Sequence, residues 1–205
     1  MRAMARHFPP ERPPWEILVN AKGQRFLRED IPSHDAYEMA LARLPDERCW
    51  FVFDETIRRQ APALLRGGFS GPWTEADTEQ AFAEGAYGFH RATDLRTLAE
   101  RAGIDTQGLL ETVADYNRGR ETGKDALGRM HLPTPIVTAP YYAITINSWN
   151  LLSYAGVAVD AQLRVIRRDG SPIPNLYAAG ELLGMGTVMG NGMPGGMSVM
   201  PALSL

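Results

Sequence analysis

Residues 174–181 read PNLYAAGE, an apolar run that ends at a glycine and an acid. The run predicts a buried strand from Asn175 to Ala179. A loop rich in glycine and methionine follows, and a helix is predicted to begin just after the pair Gly195 and Gly196. Because a helix start leaves backbone N–H groups unpaired and carries a partial positive charge, it can hold the electron-rich edge of a ligand. This order of elements predicts one half of a cofactor site.

The candidate cofactor-binding residues lie at the end of this strand and at the predicted helix start. The Glu181 carboxylate could accept hydrogen bonds from sugar or ribityl hydroxyls, and glycines let a ligand approach the backbone because they have no Cβ. Residues 184–200 could also be a poorly packed terminus, but the strand and acid directly before them favour a cofactor loop. The candidates are Ala179, Gly180, Glu181, Asn191, Gly195, Gly196, Met197 and Ser198.

The tail and several earlier segments resemble the FAD-dependent fumarate reductase and succinate dehydrogenase flavoprotein family. Members carry a strand reading LYAAGE and a later Gly-Gly pair at the start of the last helix. Residues 17–26 read ILVNAKGQRF, and Glu29 follows, which resembles the family's Val-Asn, two residues, Gly, one residue, Arg-Phe pattern. Further resembling segments occur in family order at residues 50–54, 110–123 and 141–144. The resemblance implies FAD as the cofactor and covers residues 14–205.

The phosphate-binding turn of that family is missing from this sequence. Members begin with a strand, a Gly-x-Gly-x-x-Gly turn and a helix that hold the FAD diphosphate. Residues 184–190 read GMGTVMG, with one residue too many before the third glycine, and they follow the last strand rather than the first. The sequence also stops at Leu205, inside the expected final helix. We therefore expect the C-terminal part of a longer flavoprotein, whose other half is lost or carried by a separate chain.

The resemblance implies an α+β capping lobe joined to the C-terminal strands and helix start of a Rossmann-like FAD-binding α/β domain. Three parts are expected along the chain. They are residues 1–20 as a segment of the FAD-binding domain, 21–145 as the α+β substrate-capping domain, and 146–205 as the C-terminal part of the FAD-binding domain.

Local patterns predict the elements within these parts. Thr74 and Asp77 have the spacing of a helix capping box, and Asp169 with Gly170 predicts a tight turn. Leu109, Leu110, Val113 and Tyr116 are spaced along one helical face. The predicted helices are 35–44, 74–84, 94–102 and one after residue 105, and the predicted strands are 15–19, 49–53, 157–159, 163–166 and 176–179.

The substrate-binding groups of the family's fumarate reductases are replaced in this chain. In this chain His34 is the nearest match to the arginine that donates the proton in those enzymes. Leu152 occupies the position of the histidine that clamps a substrate carboxylate. Their second carboxylate-binding arginine falls in residues 192–194, which read GMP. Because a buried dicarboxylate without cationic partners is strongly disfavoured, we do not expect fumarate as the substrate.

A less polar substrate pocket is the remaining expectation. His34 could act as a general acid or base because its unperturbed pKa lies near neutrality, or it could cap the following helix or lie at the surface. Ser153 and Tyr154 could bind a substrate carbonyl, as tyrosines do in the ketosteroid dehydrogenases that resemble this family, or Tyr154 could be a core aromatic. We expect an FAD-dependent oxidoreductase that exchanges hydride with a C–C bond next to a carbonyl or carboxylate. The alternative is a truncated, non-catalytic fragment that self-associates or needs a complementary FAD-binding chain.

Composition argues against nucleic acid and membranes as partners. The net charge of −3 gives no electrostatic basis for binding nucleic acid or membranes. No run of about 18 apolar residues and no apolar leader segment occur, which predicts a cytoplasmic protein. The single cysteine, Cys49, excludes an internal disulfide and is expected to be a buried structural thiol, while Arg58 and Arg59 are expected to be solvated charges. The histidines show no metal-binding spacing, so no metal is expected.

Overall fold

A computed structural model describes residues 5–6, 13–32, 34–67, 71–147 and 155–184 of the chain. Within them helices and sheets are mixed, and none of the helices is long and apolar enough to cross a membrane. The helices are α1 (His34–Leu41), α2 (Glu55–Gln60), α3 (Glu75–Ala83), α4 (Leu95–Ala102) and α5 (Thr106–Thr122). The strands are β1 (Ala5–Arg6), β2 (Ile17–Val19), β3 (Arg48–Asp54), β4 (Arg66–Gly67), β5 (Gly71–Pro72), β6 (Phe89–Ala92), β7 (Tyr141–Asn147), β8 (Arg164–Ile166) and β9 (Pro172–Tyr177).

The chain divides into two compact units, Met1–Ser148 and Trp149–Leu205. The strand β2 belongs to the sheet of the first unit, where Leu18 pairs with Phe51. The three-part division of the sequence at residues 20 and 145 remains a prediction.

An antiparallel sheet with the strand order β2-β3-β7-β6 forms the centre of the N-terminal unit. The strands β3 and β7 pair along their whole length, from Arg48 opposite Asn147 to Asp54 opposite Tyr141. All residues of β3 after Arg48 are buried, which is the burial expected of a continuous apolar run covered on both faces. The predicted strand at residues 49–53 is therefore confirmed.

Three helices of this unit begin at the side-chain caps that the sequence indicates. Thr74 and Asp77 form a reciprocal capping box at α3, with the Asp77 N–H donating to Thr74 Oγ1 at 3.1 Å and the Thr74 N–H donating to Asp77 Oδ2 at 2.9 Å. Asp94 caps α4 and Asp105 caps α5. The three predicted helices are therefore confirmed. They could be predicted because residues within one turn specify each start.

The long helix α5 packs one face into the core. Leu109, Val113 and Tyr116 are buried as predicted, whereas Leu110 is only partly buried. The helix ends at Gly123 in the left-handed conformation, with φ of 67°.

Cys49 lies within the core of the sheet with no exposed surface. Burial raises the pKa of its thiol to about 12, although a side-chain hydrogen bond with Tyr37 opposes the rise. The thiolate is therefore not populated at neutral pH, and the expected structural role is confirmed.

The C-terminal unit contains an antiparallel pair formed by β8 and β9. The tight turn predicted at Asp169 and Gly170 is confirmed, since the Gly170 N–H donates to the Arg167 carbonyl at 3.0 Å and Gly170 has φ of 83°. The strand predicted at residues 157–159 is reduced to an isolated bridge between Val159 and Val165.

The prediction of a buried strand at 175–179 was wrong in both its bounds and its burial. The strand runs from Pro172 to Tyr177, and the Leu176 and Tyr177 side chains are 46% and 63% exposed. Among the described residues β9 has β8 as its only hydrogen-bonded neighbour, so its faces are not covered as those of a central strand are.

Candidate functional site

The strand β9 leads into a short turn that presents an acid to solvent. Ala178 is buried, Ala179 is extended and exposed, and Gly180 begins a 3-10 turn that ends at Leu183. The Glu181 side chain is exposed, and its carbonyl accepts a hydrogen bond from the Gly184 N–H at 3.0 Å. Residues 180 and 184 both have positive φ, of 69° and 81°, which glycine adopts without strain. The structure therefore contains an acid at the strand end, between two glycines.

Gly156 supports this turn and was not assigned a role by the sequence analysis. A Cβ on Gly156 would lie 2.0 Å from the Leu183 carbonyl carbon and 2.1 Å from the Gly184 nitrogen. The adjacent Val157 N–H donates to the Leu182 carbonyl at 2.8 Å. Only glycine permits this approach, so Gly156 fixes the turn that carries Glu181.

The side chains of the remaining sequence candidates are not among those that the structure describes. His34 is the first residue of α1, and only its backbone is described. The other candidates, Ser153, Tyr154, Asn191, Gly195, Gly196, Met197 and Ser198, lie outside the described residues.

The Val-Asn-x-x-Gly part of the sequence motif builds a tight turn rather than a catalytic group. The Asn20 side-chain oxygen accepts from the N–H groups of Lys22 and Gln24 at 2.9 and 3.0 Å. Gly23 has φ of 69°, and a Cβ on it would lie 2.2 Å from the Leu109 nitrogen. The turn therefore packs directly against the first turn of α5.

The Arg-Phe-x-x-Glu part of the motif forms a buried ion-pair network. Arg25 Nε donates to Glu29 Oε1 at 2.7 Å, and its two terminal nitrogens also reach Glu29 and Asp125. Arg129 lies 3.3 Å from the same Glu29 carboxylate. The four side chains are at most 7% exposed, and the charges of two guanidinium groups and two carboxylates balance. A balanced and hydrogen-bonded group of charges is the form in which ions are tolerated in a protein interior.

This network connects three separate parts of the N-terminal unit. Arg129 donates to the backbone carbonyls of Pro14 and Glu16 at 2.5 and 2.8 Å, and so holds the residues that precede β2. Both guanidinium groups lie over the Tyr116 ring of α5, at 5.7 Å for Arg25 and 5.4 Å for Arg129. The motif residues therefore stabilise the fold by joining the start of the sheet, α5 and the loop after α5.

A second charged cluster joins α2 to β7. Tyr142 donates to Glu55 Oε2 at 2.6 Å, and Arg58 Nε donates to the same oxygen at 2.7 Å. The Arg58 hydrogen bond is the largest influence on Glu55 and, despite partial burial, lowers the pKa of that carboxyl to about 2. Burial and the Glu55 partner raise the pKa of Tyr142 to about 12. At neutral pH Glu55 is therefore ionised and Tyr142 is protonated, so neither group exchanges a proton and the cluster is structural.

Arg58 corrects one sequence expectation. Its side chain is 11% exposed and also pairs with Glu75 at 3.0 Å, so the prediction of a solvated charge was wrong. Arg59, which is 69% exposed, fits that prediction. The described residues contain no group of three or more His, Cys, Asp or Glu side chains that could hold a metal ion.

Comparison with family models assigns most of this sequence to one family. The family described as FAD binding domain matches residues 13–198. The chain belongs to this family. The match covers the motif segment, the charged networks and the segment from β9 to Glu181.

Curated relatives of this flavoprotein chain include dehydrogenases and reductases. It is 32% identical over 202 residues to 4-oxocyclohex-2-ene-1-carboxylate 5-dehydrogenase of Sinomonas cyclohexanicum, covering 89% of this chain and 33% of the relative. It is 30% identical to the cytochrome fumarate reductase of Shewanella frigidimarina, with 82% and 27% covered. It is 30% identical to 3-oxosteroid 1-dehydrogenase of Mycobacterium tuberculosis, with 93% and 37% covered. The chain spans about a third of the length of these relatives.

Solved structures show the same relationship. A 3-ketosteroid Δ1-dehydrogenase from Sterolibacterium denitrificans in complex with 1,4-androstadiene-3,17-dione aligns with a TM-score of 0.56 and 26% identity, covering 84% of this chain and 34% of that one. The open conformation of a flavocytochrome c3 fumarate reductase aligns with a TM-score of 0.55 and 26% identity, covering 82% and 27%. The resemblance to a fumarate reductase-like and ketosteroid dehydrogenase-like flavoprotein is thereby confirmed.

The described part of the tail fits FAD. An exposed carboxylate is an acceptor suited to ribityl or ribose hydroxyls, and Glu181 supplies one at the end of a strand. The neighbouring Gly180 and Gly184 add no side chains to this surface.

Proposed function

We propose that this chain forms the substrate-capping lobe and the C-terminal part of the Rossmann-like FAD-binding domain of an FAD-dependent oxidoreductase. The observation that carries the proposal is the exposed Glu181 carboxylate on a glycine-flanked turn, within a sequence that matches the FAD binding domain from residue 13 to 198. In this arrangement residues 21–145 cover the substrate and residues 146–205 contact the cofactor.

Several residues would hold FAD. Glu181 accepts hydrogen bonds from its hydroxyls, and Gly180 and Ala179 leave the backbone accessible. If the helix predicted to begin after Gly195 and Gly196 forms, the N–H groups of Met197 and Ser198 would stabilise negative charge on the flavin, and Asn191 would contribute from the predicted loop. When bound, FAD supplies the hydride acceptor or donor, which no amino-acid side chain can provide.

In the proposed dehydrogenation, two adjacent carbons beside a carbonyl or carboxylate each lose one hydrogen and become joined by a double bond; one hydrogen would leave as a hydride that FAD accepts and the other as a proton, and reduction is the reverse. His34 moves the accompanying proton, because an imidazole titrates near neutral pH. Ser153 and Tyr154 donate hydrogen bonds to the carbonyl oxygen and so stabilise the charge that develops on it. The capping lobe excludes water during the transfer.

A ring ketone is the substrate class that these residues favour. The positions of the cationic dicarboxylate-binding groups are occupied here by His34, Leu152 and residues 192–194. Two relatives are named for dehydrogenation of a 3-oxosteroid and of an oxocyclohexene carboxylate, which are ring ketones. A ketone oxygen needs only neutral hydrogen-bond donors, whereas a buried dicarboxylate needs cations.

A second proposal is that the chain on its own is a non-catalytic fragment that requires a complementary FAD-binding half or self-associates. The exposed apolar side chains of the C-terminal unit favour it, since Leu176, Tyr177 and Leu182 are 46%, 63% and 64% exposed. Apolar surface of this kind is typical of an association site.

Anaerobic flavin bleaching tests the leading proposal. The chain is combined with a complementary FAD-binding half and mixed with a saturated ring ketone, and loss of the flavin absorbance is followed by stopped flow. We expect bleaching by the ketone, and slower bleaching in the His34→Ala variant by a factor of about 10²–10⁴. Rapid turnover of fumarate and none of any ring ketone would contradict the proposed substrate class.

A further inference from the structure

The segment that leads into α1 is held in place by side chains rather than by a helix or strand. From Phe26 to Pro32 the chain has no regular secondary structure, and the Ile31 N–H donates to the Arg28 carbonyl at 3.1 Å in a single turn. Loops of this kind keep one conformation only where side chains hold their backbone. The start of α1 therefore depends on the contacts of residues 28–31.

Two neighbouring acids hold this segment. Glu29 lies in the buried network with Arg25 and Arg129, and its carboxylate also accepts from the Leu18 N–H at 3.1 Å. Asp30 binds a different set of groups. Its Oδ2 accepts from the N–H groups of Met130 and His131 at 2.8 and 3.0 Å.

The Asp30 carboxylate is a well-formed acceptor site. Its second oxygen accepts from Arg28 Nε at 2.7 Å, and its side chain is 11% exposed. Partial burial raises its pKa, but the two backbone hydrogen bonds and the Arg28 guanidinium outweigh burial and leave the pKa below its usual range. Asp30 therefore stays ionised and bonded at neutral pH.

We propose that Asp30 is a positioning residue for His34, because its carboxylate ties the residues before α1 to the backbone at Met130 and His131. The residues between Asp30 and α1 that are described, Ile31 and Pro32, have no polar side chain. Beyond the helix start, Tyr37 and Leu41 anchor α1 in the core. Asp30 is thus a polar anchor close to the start of α1.

The consequence for proton transfer follows from chain geometry, and this step rests on the proposed role of His34. Only three residues lie between Asp30 and His34, so loss of the two hydrogen bonds to Met130 and His131 gives the residues that lead into α1 more freedom to move. A displacement of about 1 Å in a reacting group can lower a rate about 10²-fold. The positioning role therefore predicts a large effect on rate from a residue that does not touch the substrate.

A matched set of variants distinguishes the tether, which is the pair of hydrogen bonds from Met130 and His131 to Asp30, from the ion pair with Arg28. Asp30→Asn keeps a side-chain oxygen for the Met130 and His131 N–H groups but loses the charge. Asp30→Ala removes both interactions, whereas Arg28→Ala removes the ion pair and a 3.5 Å hydrogen bond to the Asp30 carbonyl but keeps the bonds to Met130 and His131. Thr74→Ala serves as the stability control, because it disrupts a capping box in α3, away from this segment.

Hydrogen exchange measured by mass spectrometry tests the tether without any flavin. For the peptide covering residues 31–37 we expect Asp30→Ala to raise the exchange rate about tenfold, because two hydrogen bonds are lost. Asp30→Asn and Arg28→Ala should stay within about twofold of the wild type. The proposal is overturned if Asp30→Ala leaves this rate unchanged, or if Thr74→Ala raises it equally.

A double-mutant cycle on the flavin reaction then tests the link to His34. We expect Asp30→Ala to lower kcat with little change in KM, and to have no further effect once His34 is replaced by alanine. Additive losses in the double variant would overturn the positioning role. If the wild type shows no flavin bleaching with any ring ketone, the proposed function fails, while the exchange result still decides whether Asp30 holds the segment.

Discussion

Replacing Gly23 with alanine tests how the sequence motif shapes the N-terminal unit. Gly23 has φ of 69°, and an added Cβ would lie 2.2 Å from the Leu109 nitrogen and 2.6 Å from the Gly108 carbonyl carbon. Both atoms belong to the backbone of α5, so no side-chain rotation can relieve the overlap. The turn and the helix start must move apart.

The expected loss of stability in Gly23→Ala has three sources. A left-handed conformation costs a non-glycine residue about 1–2 kcal/mol. Separation of the turn from α5 breaks the hydrogen bond from the Asp105 N–H to the Ala21 carbonyl, which is 2.8 Å long and contributes about 1 kcal/mol. Overpacking adds strain of about 1–3 kcal/mol. We therefore expect Gly23→Ala to lower the free energy of unfolding by about 3–6 kcal/mol.

Alanine substitutions at two other glycines distinguish the conformational cost from the cost of the close approach. Gly85 has φ of 61° with nothing within 4 Å of an added Cβ, so Gly85→Ala incurs only the conformational cost of about 1–2 kcal/mol. Gly108 is helical without positive φ, and its Cβ would lie 1.9 Å from the Lys22 carbonyl oxygen. Gly108→Ala should therefore destabilise, although alanine is intrinsically better in a helix by about 1 kcal/mol.

Urea unfolding followed by tryptophan fluorescence measures all three variants. Midpoint and slope are fitted separately, so that a change in the extent of unfolding is not mistaken for a change in stability. The reasoning is refuted if Gly23→Ala and Gly85→Ala lose the same free energy, since the close approach to α5 would then contribute nothing.

Three further predictions concern the charged networks and a cap. Glu29→Gln should cost about 3–5 kcal/mol in urea unfolding, because it leaves Arg25 and Arg129 buried with too little negative charge; a loss below about 1 kcal/mol would contradict this. Glu55 has its pKa lowered from 4.5 to about 2, so its contribution of roughly 3 kcal/mol is present above pH 4.5 and lost as the pH falls toward 2. The stability difference between wild type and Glu55→Gln should shrink over that range, and a difference independent of pH would disprove it. Thr74→Ala should cost about 1 kcal/mol by thermal unfolding, and an unchanged transition would show that the capping box is not formed in solution.

Local sequence patterns predicted the helices well because each start is fixed by residues close together in the chain. Asp94 and Asp105 cap the helices that directly follow them, and Thr74 with Asp77 forms its box within one turn. The buried strand β3 was equally predictable from its continuous apolar run.

Long-range pairings were not predictable in the same way. The motif residue Arg25 binds Asp125, which lies 100 positions later, so its structural role has no local signal. Arg58 was expected in solvent because its neighbours in sequence do not reveal Glu75 as a partner. The exposure of β9 depends on which strands lie beside it, and its own apolar residues cannot specify that.

The sequence predicts more residues of the candidate cofactor site than the structure describes. The turn at Glu181 follows from a glycine and an acid after an apolar run, and the structure adds the support from Gly156. The assignments of His34, Ser153 and Tyr154 stay predictions, as do the cofactor-binding roles of residues 179–181, 191 and 195–198.

Retention of FAD through gel filtration tests the central claim most directly. The chain is incubated with FAD, alone and together with a complementary FAD-binding half, and the flavin absorbance of the protein peak is recorded for wild type and for Glu181→Ala. The account predicts that flavin elutes with the wild-type protein when the complementary half is present, and that Glu181→Ala loses most of it. Equal flavin retention by both proteins, or none by the wild type in either arm, would contradict the assignment of Glu181 and its turn as part of an FAD site.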